Sequence, residues 1–181
     1  MQDYTNLISE NYSCIKIKNN LYTYKINKNS FYNSSTKTNT IRHLLSNIDN
    51  KFDIIVLDTP PNITDEHLAI LNYLNTDYSI LVSTPQLLSF QDVLRQYTFC
   101  VKGNIKILGL IENMKKFKCI ECKHEQDVFF DSNIKKECEK YNIDYLGSLD
   151  INIEYGKKSD NGEVIDEKIF KTLSEKIINL I

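Results

Sequence analysis

The sequence lacks the features that mark several common protein classes. No apolar run approaches the roughly 20 residues needed to span a bilayer. Residues 1–4 show neither the basic start nor the apolar stretch of a signal peptide. Five cysteines, unevenly spaced in 181 residues, are too few for a disulfide scaffold. We therefore expect a cytoplasmic protein without a membrane partner, whose cysteines are thiols or metal ligands.

Charge and composition narrow the class further. A formal net charge of -2 gives no reason to expect nucleic acid or an anionic membrane as the main partner. Only 5 Gly and 3 Pro occur beside many Asn, Ile, Lys and Tyr, which we interpret as a bias of the coding genome. The 41% hydrophobic and 25% charged fractions are ordinary for a globular protein. A chain of this length can bury a core, and we predict a single domain over residues 1–181.

Continuous apolar runs predict the main strands. Residues 52–57 (FDIIVL) form a β-branched run typical of a strand buried on both faces, and residues 78–83 and 105–111 repeat the pattern. The other predicted strands are residues 13–17, 21–26 and 145–149, with a polar loop over 27–40. Apolar spacing and capping signals predict helices over residues 41–48, 66–75, 89–99, 132–141 and 166–181. This alternation predicts an α/β domain with a mostly parallel sheet and flanking helices.

Two polar residues follow predicted strands, where an open α/β sheet binds its ligands. Asp58 comes directly after the first apolar run, as does a Walker B aspartate that reaches nucleotide-bound magnesium. The alternative is an aspartate that caps the next turn. Asn113 follows the third run, and its amide offers the donor and acceptor that suit an adenine edge, or it is a turn residue. Spacing alone leaves both pairs of interpretations open.

The pair formed by Cys119 and Cys122 is the sharpest chemical feature. Two thiols three residues apart can chelate one metal ion or cluster. The surrounding positive charge favours thiolates and offsets the negative charge of a thiolate-bound cluster; it comes from Lys115, Lys116, Lys118 and Lys123. The charged loop around the pair argues against a thioredoxin-like redox motif, and the spacing argues against two ordinary surface cysteines.

Two interpretations of the pair have similar support from the residues alone. A structural zinc site needs four ligands, and only His124 and Cys138 are available nearby. In the other interpretation the pair is a half-site. Two copies, one from each chain of a symmetric dimer, then supply the four thiolates of a [4Fe-4S] cluster. The isolated Cys14, Cys100 and Cys138 are interpreted as structural or incidental.

Several motifs occur in the order found in one known family. Residues 58–68 (DTPPNITDEHL) are similar to its DxPPGTxDxH switch II stretch, and residues 83–93 to its TTPQ…DV segment. Residues 109–129 are similar to its GIVENMSxFxCPxCxxE…IF signature, and residues 146–162 to its LGxIPLD…G…DxG ending. From about residue 41 to residue 165, the chain resembles the Mrp/Nbp-type P-loop ATPases, which are iron–sulfur cluster carriers and cytosolic iron–sulfur assembly factors. Residues 1–40 diverge from the family.

The resemblance carries expectations about fold, cofactors and partners. It implies a P-loop NTPase (SIMIBI/MinD-like) architecture, with residues 115–130 as the cluster-binding loop. It also implies that Cys119 and Cys122 bind a [4Fe-4S] cluster that bridges two subunits. By the same resemblance Asn113 lies near the adenine of ATP and Asp58 near magnesium. The implied partners are a second copy or a full-length paralogue, and apo iron–sulfur proteins that receive the cluster.

Departures from the family pattern concern the nucleotide site. The glycine-rich GKGGVGKS loop and the DxDxxGPS segment are not found, and no Gly precedes Asp58. Asn62 stands in place of the switch II glycine, and Ile120 in place of the CPxC proline. A missing βαβ unit would leave the strand at residues 52–57 with an unpaired edge.

We therefore expect an iron–sulfur cluster assembly and carrier protein with an incomplete ATP site, and the sequence predicts neither the presence nor the absence of ATP hydrolysis. Three alternatives stay open. They are an ATPase with a longer N-terminus, a non-catalytic subunit that pairs with a paralogue, and a zinc-binding module.

Overall fold

A computed structural model describes residues 12–18, 20–26, 42, 52–119, 121–130 and 133–181. The chain divides into two compact units, Met1–Asn75 and Thr76–Ile181. The predicted helix at residues 41–48 and the predicted loop at residues 27–40 lie outside the described residues, apart from the helical Arg42.

The described part of the first unit contains a hairpin and a helix. Strands β1 (Tyr12–Lys18) and β2 (Leu21–Ile26) pair antiparallel around Asn20, whose φ of 64° fits a residue type that tolerates the left-handed region. Helix α1 spans Asp65–Tyr73 and begins after the N-cap residue Thr64. The two strand predictions at residues 13–17 and 21–26 are confirmed, and so is the helix, although it ends two residues earlier than expected.

The prediction of a buried strand at residues 52–57 is wrong. This segment has no regular secondary structure, and Ile54, Ile55 and Val56 expose 59%, 53% and 85% of their surface. A strand exists only where its backbone hydrogen-bonds to a neighbour, and none of the described strands pairs with these residues. An apolar run alone therefore does not form a strand, because its ladder partner has to be present.

A parallel three-stranded sheet is the framework of the second unit. Strand β3 (Tyr78–Ser83) pairs with β4 (Lys106–Glu112), and β4 pairs with β7 (Tyr145–Ser148), so that β4 is central. Helix α2 (Leu87–Lys102) packs against β3 and β4. The core lies at this face of the sheet and consists of Leu81, Phe90, Val93, Leu110, Ile134, Cys138 and Ile143. This arrangement confirms the predicted α/β fold with a parallel sheet.

Gly109 sets how closely the central strand approaches its neighbour. Its φ is 146°, and a Cβ at this position would lie 2.4 Å from the carbonyl oxygen of Asp144. The N–H of Leu110 donates to that same oxygen at 2.7 Å. A side chain larger than hydrogen therefore does not fit between β4 and the residue that precedes β7.

The carboxyl end of β4 continues into a small hairpin. Strands β5 (Lys116–Lys118) and β6 (Glu125–Asp127) pair antiparallel. Hydrogen bonds from Leu149 to Glu112, from Lys115 to Leu149 and from Ile151 to Lys116 extend the parallel pairing of β4 and β7 into this region. The hairpin therefore projects from the carboxyl end of the sheet, where ligands bind in open α/β folds.

Helices α3 (Ile134–Lys140), α4 (Ile153–Asp160) and α5 (Lys168–Ile178) complete the second unit, and α5 packs against β7. The predictions at residues 132–141 and 166–181 are confirmed with shorter bounds. Helix α4 was not predicted, because none of its residues is buried and its sequence carries no apolar stripe. Across the described ranges, no helix combines the length and apolar character that crossing a bilayer requires.

Candidate functional site

Cys119 and Cys122 lie together in the loop of the β5–β6 hairpin. The N–H of Cys119 donates to the carbonyl of His124 at 2.9 Å, and the N–H of Lys123 donates to the carbonyl of Cys119 at 3.0 Å. Lys123 has a φ of 59°, so the chain turns sharply between the cysteines and β6. The turn brings both thiols to the same end of the hairpin. Cys119 is half-buried, and Cys122 is exposed.

The loop supplies hydrogen-bond donors to the sulfur of Cys119. Backbone N–H groups of Cys122 and Glu121, the Cys122 side chain and the charge of Lys123 all favour the thiolate, and together they lower the pKa of Cys119 against a small opposing effect of burial. N–H donors to sulfur and nearby positive charge are also what stabilises a thiolate ligand of a metal cluster. Hydrogen bonds account for most of this lowering, and of the lysines that the sequence predicted to favour thiolates only Lys123 is among its causes.

A salt bridge ties the two strands of the hairpin together. The ammonium of Lys118 lies 2.9 Å from the carboxylate of Glu125, and the two residues face each other in the strand register. The hydrogen bond to Lys118 and the charge of Lys118 lower the pKa of Glu125. Burial opposes this shift slightly. The pair is half-exposed and contributes little to global stability, yet it lies directly beside the turn that carries the thiols.

The described residues of one chain do not provide a complete metal site. No group of three or more His, Cys, Asp and Glu side chains in the described part of the chain is placed to hold a metal ion. His124 and Cys138 were the zinc ligands considered from the sequence. Neither forms a three-ligand group with the pair among the described residues, and Cys138 is fully buried in the core. The pKa of Cys138 is raised to about 11, mainly by burial, so this thiol stays protonated. A metal bound by the pair would therefore need ligands beyond those that the described residues place around it.

Asn113 directly follows the central strand at the base of the same hairpin. Its N–H donates to the carbonyl of Ser83 at 2.7 Å, and its side-chain oxygen accepts from the N–H of Met114 at 2.9 Å. The φ of Met114 is 60°, so Asn113 stabilises a tight turn at the carboxyl end of β4. This geometry fits the turn interpretation, and the contact with an adenine stays a prediction.

Asp58 lies in the irregular, exposed segment of the first unit. It does not follow a strand, so the Walker B-like placement expected from the sequence is wrong at this point, and its role toward magnesium stays a prediction. Four residues on, Asn62 has a φ of 65°, at the position where the family pattern has glycine. Asn is the residue type that most readily replaces glycine in this region, which explains how the turn tolerates the substitution.

The helix that follows begins with an internally satisfied cap. The N–H of Thr64 donates to Nδ1 of His67 at 3.3 Å, and the Thr64 hydroxyl lies 3.1 Å from the same nitrogen. Burial lowers the pKa of His67 more than the charge of Glu66 raises it. The imidazole is therefore neutral at pH 7 and accepts at Nδ1, as the cap requires. The predicted N-terminal capping of this helix is confirmed.

Sequence reasoning missed a buried polar cluster at the base of the hairpin. The carboxylate of Glu112, only 3% exposed, accepts from the ammonium of Lys115 at 3.0 Å and from the hydroxyl of Tyr145. The ammonium of Lys115 also lies 3.4 Å from the hydroxyl of Tyr145. The cluster connects the last residue of β4, the first turn of the hairpin and the first residue of β7. A charged residue at the end of an apolar run, with a lysine three residues later, is the signal that could have revealed it.

Lys115 and Tyr145, the two proton donors of the cluster, keep their protons over a wide pH range. Burial lowers the pKa of Lys115, but the hydrogen bond and charge of Glu112 and the contact with Tyr145 outweigh it, so the net shift is upward. Burial raises the pKa of Tyr145, and the hydrogen bond to Glu112 adds to the effect. Since both folded pKa values are raised, both contributions to stability are present at neutral pH and are lost as the pH rises above about 10.

We expect Glu112→Gln to lower the free energy of unfolding by about 1–3 kcal/mol, because the glutamine keeps one acceptor oxygen but withdraws the charge that Lys115 requires. The loss of stability between about pH 9 and pH 11 should also become smaller. Urea unfolding at both ends of this range measures the two effects. Glu154→Gln is the control, since the exposed Glu154–Lys157 pair should matter much less. Equal effects of the two variants would contradict a structural role for the cluster.

A family model and individual related proteins match this chain and agree with each other. A model of the family described as ParA, NUBPL iron-transfer P-loop NTPase, matches residues 9–181. The cytosolic Fe-S cluster assembly factor Nubp1 homologues of Drosophila yakuba and Drosophila melanogaster are each 36% identical to this chain over 151 residues. These matches cover 78% of this chain and 48% of each relative. The chain thus spans about half the length of the curated relatives it matches.

Solved structures show the same fold. The nucleotide-binding protein from Archaeoglobus fulgidus, solved in complex with ADP, has a TM-score of 0.64 at 22% identity over 88% of this chain and 67% of its own. The cell division ATPase MinD from Pyrococcus furiosus has a TM-score of 0.58 at 16% identity over 80% of this chain and 59% of its own. These similarities confirm the predicted MinD-like architecture. With a family match over nearly the whole sequence, the chain belongs to the ParA/NUBPL family of iron-transfer P-loop NTPases.

Proposed function

We propose that this protein is an iron–sulfur cluster assembly and carrier protein, which binds a [4Fe-4S] cluster between two chains and transfers it to apo-proteins. The observation that carries the proposal is the hairpin loop, where two thiols share one turn and one of them accepts N–H donors. Membership of an iron-transfer family supports the same chemistry. The cluster is the cargo of the protein, held by Cys119 and Cys122.

The number of ligands supports a site shared by two chains. A [4Fe-4S] cluster takes four cysteine ligands, and the hairpin offers two. A symmetric dimer repeats the same surface on both subunits, so two hairpins that face each other complete the set. Zinc in a single chain is not favoured, because the described residues contain no group of three or more His, Cys, Asp and Glu side chains placed to hold a metal ion.

Exposed apolar side chains next to the hairpin support such a dimer. Phe130 exposes 99% of its surface three residues after β6, while Met114 and Val128 expose 44% and 36%. Large apolar side chains that cluster on a surface mark contact sites with other proteins. A second copy that covers them would also place its own cysteine loop opposite the first.

The nucleotide site is proposed only in part. Asn113 would contact the adenine, and Asp58 would act toward magnesium, as the resemblance implies. The described hydrogen bonds allow this for Asn113, whose side-chain oxygen is engaged with Met114 while its amide nitrogen has no hydrogen-bond partner among the residues that the structure describes. Since the match covers only 48% of each relative, a full-length paralogue is the alternative partner in the dimer.

Location and clients follow from the relatives. The matched factors of Drosophila are described as cytosolic Fe-S cluster assembly factors. We therefore place this protein in the cytosol, with apo iron–sulfur proteins as the recipients of its cluster. The recipients would contribute cysteine thiolates, since these are the ligands that replace those of the carrier.

Anaerobic reconstitution with ferrous iron and sulfide tests the proposal. We expect about four irons and four sulfides for every two chains, and a shift from monomer to dimer that accompanies cluster binding. Iron and sulfide assays combined with native mass spectrometry measure both quantities. A complete cluster on a monomer, or one zinc per chain with no iron after anaerobic loading, would contradict the proposal.

A further inference from the structure

A groove of about 550 Å³ runs beside the cysteine loop in the second unit. One wall is formed by β5 and the loop, and the other by residues 148–155, which connect β7 to helix α4. Cys119 lines the groove, whereas Cys122 does not. Apolar residues also line the groove, among them Phe117 and Ile151. Its volume is in the range of small-ligand sites, and a folded protein partner would not fit inside it.

The charges along the groove divide into satisfied and unsatisfied ones. Lys118 is paired with Glu125, and Glu154 with Lys157. The three remaining charged side chains of the lining are Lys116, Lys123 and Asp150. None of these three forms an ion pair with another residue that the structure describes. Asp150 only accepts a hydrogen bond from the backbone N–H of Lys116, at 3.2 Å. The groove thus offers two ammonium groups, one carboxylate and one thiol.

We propose that this groove binds a short thiol-bearing peptide with two carboxylates and one ammonium group, and that its thiol replaces Cys119 as a ligand of the cluster. The two carboxylates would pair with Lys116 and Lys123, and the ammonium group with Asp150. The second half of the inference, the exchange at iron, rests on the proposed function. The binding half concerns the groove of the cluster-free protein and stands on the lining alone.

The exchange needs no redox partner. The entering thiol forms a bond between its sulfur and the iron that Cys119 holds, and the bond between that iron and Cys119 breaks. The proton of the entering thiol ends on the sulfur of Cys119. No electrons are transferred, so the cluster keeps its oxidation state. Because Cys122 lies outside the groove, exchange begins at Cys119, and the cluster then remains attached through the other three thiolates.

Binding can be measured without a cluster. S-methylglutathione has two carboxylates, one ammonium group and no free thiol, so it reports recognition alone. We expect saturable binding to the cluster-free protein by calorimetry or by NMR shifts of groove residues. The variant Lys116→Gln/Lys123→Gln should bind about three- to tenfold more weakly, as two partly exposed charge contacts allow. The control is Lys135→Gln/Lys136→Gln, two exposed lysines of α3 outside the groove, which should bind like the unaltered chain.

Exchange is measured on the reconstituted dimer. Glutathione should release the cluster at a rate that saturates with its concentration, and the groove variant should require about three- to tenfold more glutathione for the same rate. The neutral thiol 2-mercaptoethanol measures how the lost charge of Lys123 changes the release at Cys119 itself, and the effect on glutathione is taken relative to it. Equal dependence on glutathione in the two proteins, or no saturable binding of S-methylglutathione, overturns the inference. If reconstitution fails while S-methylglutathione binds normally, the proposed function and the exchange are both overturned. The assignment of the groove as a peptide-binding site then remains.

Discussion

A chain with Cys119→Ser and Cys122→Ser is expected to lose its cluster, with iron falling from about four per two chains to nearly none. Serine keeps the size of cysteine but offers a hydroxyl that stays protonated at neutral pH, so it is a poor ligand for iron where thiolate is the natural one. Iron assay and the visible absorbance of the cluster after anaerobic reconstitution measure the loss. The dimer that depends on the cluster should be lost with it.

The same variant should fold normally, and this separates lost ligands from lost structure. Cys122 is exposed and Cys119 half-buried, and neither belongs to the core. Cys14→Ser is the matched control, since this exposed cysteine lies in the first unit and has no place in the site. If the double variant retained a full cluster while Cys14→Ser lost it, the assignment of the ligands would be refuted.

Gly109→Ala is expected to lower the free energy of unfolding by about 2–6 kcal/mol. About 1–3 kcal/mol comes from forcing a side chain into a backbone conformation that suits glycine. Another 1–3 kcal/mol comes from overpacking, because the new Cβ would lie 2.4 Å from the carbonyl oxygen of Asp144. Folded domains are stable by only about 5–15 kcal/mol. The variant should therefore unfold at a much lower urea concentration, as followed by circular dichroism.

Gly156→Ala provides the opposite case within the same chain. Gly156 lies inside α4, and no atom lies within 4 Å of the position that a new Cβ would take. Alanine is the better helix former by about 0.5–1 kcal/mol, so this variant should be unchanged or slightly more stable. If both variants lost a similar free energy of unfolding, the replacement of glycine itself would be the cause, and not the close approach of β4 to Asp144.

The parts of the fold that the sequence predicted well are those with local signals. Strands β3 and β4 are continuous apolar runs with neighbours on the sheet, and both occur where expected. Residues 52–57 have the same pattern and form no strand. The difference lies in pairing, which depends on distant residues and leaves no trace in the run itself. Helix α4 was missed for the reverse reason, because it forms at the surface without an apolar face.

The candidate site divides in a similar way. The spacing of Cys119 and Cys122 and the lysines around them predicted a chelating loop, and the structure places both in one turn. The hairpin that holds the turn was not predicted, because its strands have three residues each and mostly polar side chains. The contact of Glu112 with Tyr145 could not be predicted either. These residues are 33 positions apart and meet only because β4 and β7 are neighbours.

The exposed apolar segment has a consequence for the solubility of the chain. Ile54, Ile55 and Val56 form a short β-prone run without proline, and such runs pair with copies of themselves in other molecules to form cross-β aggregates. Asp53 and Asp58 flank the run as charged gatekeepers, which oppose that pairing at neutral pH. The purified chain is therefore best kept dilute, since pairing between molecules depends on their concentration.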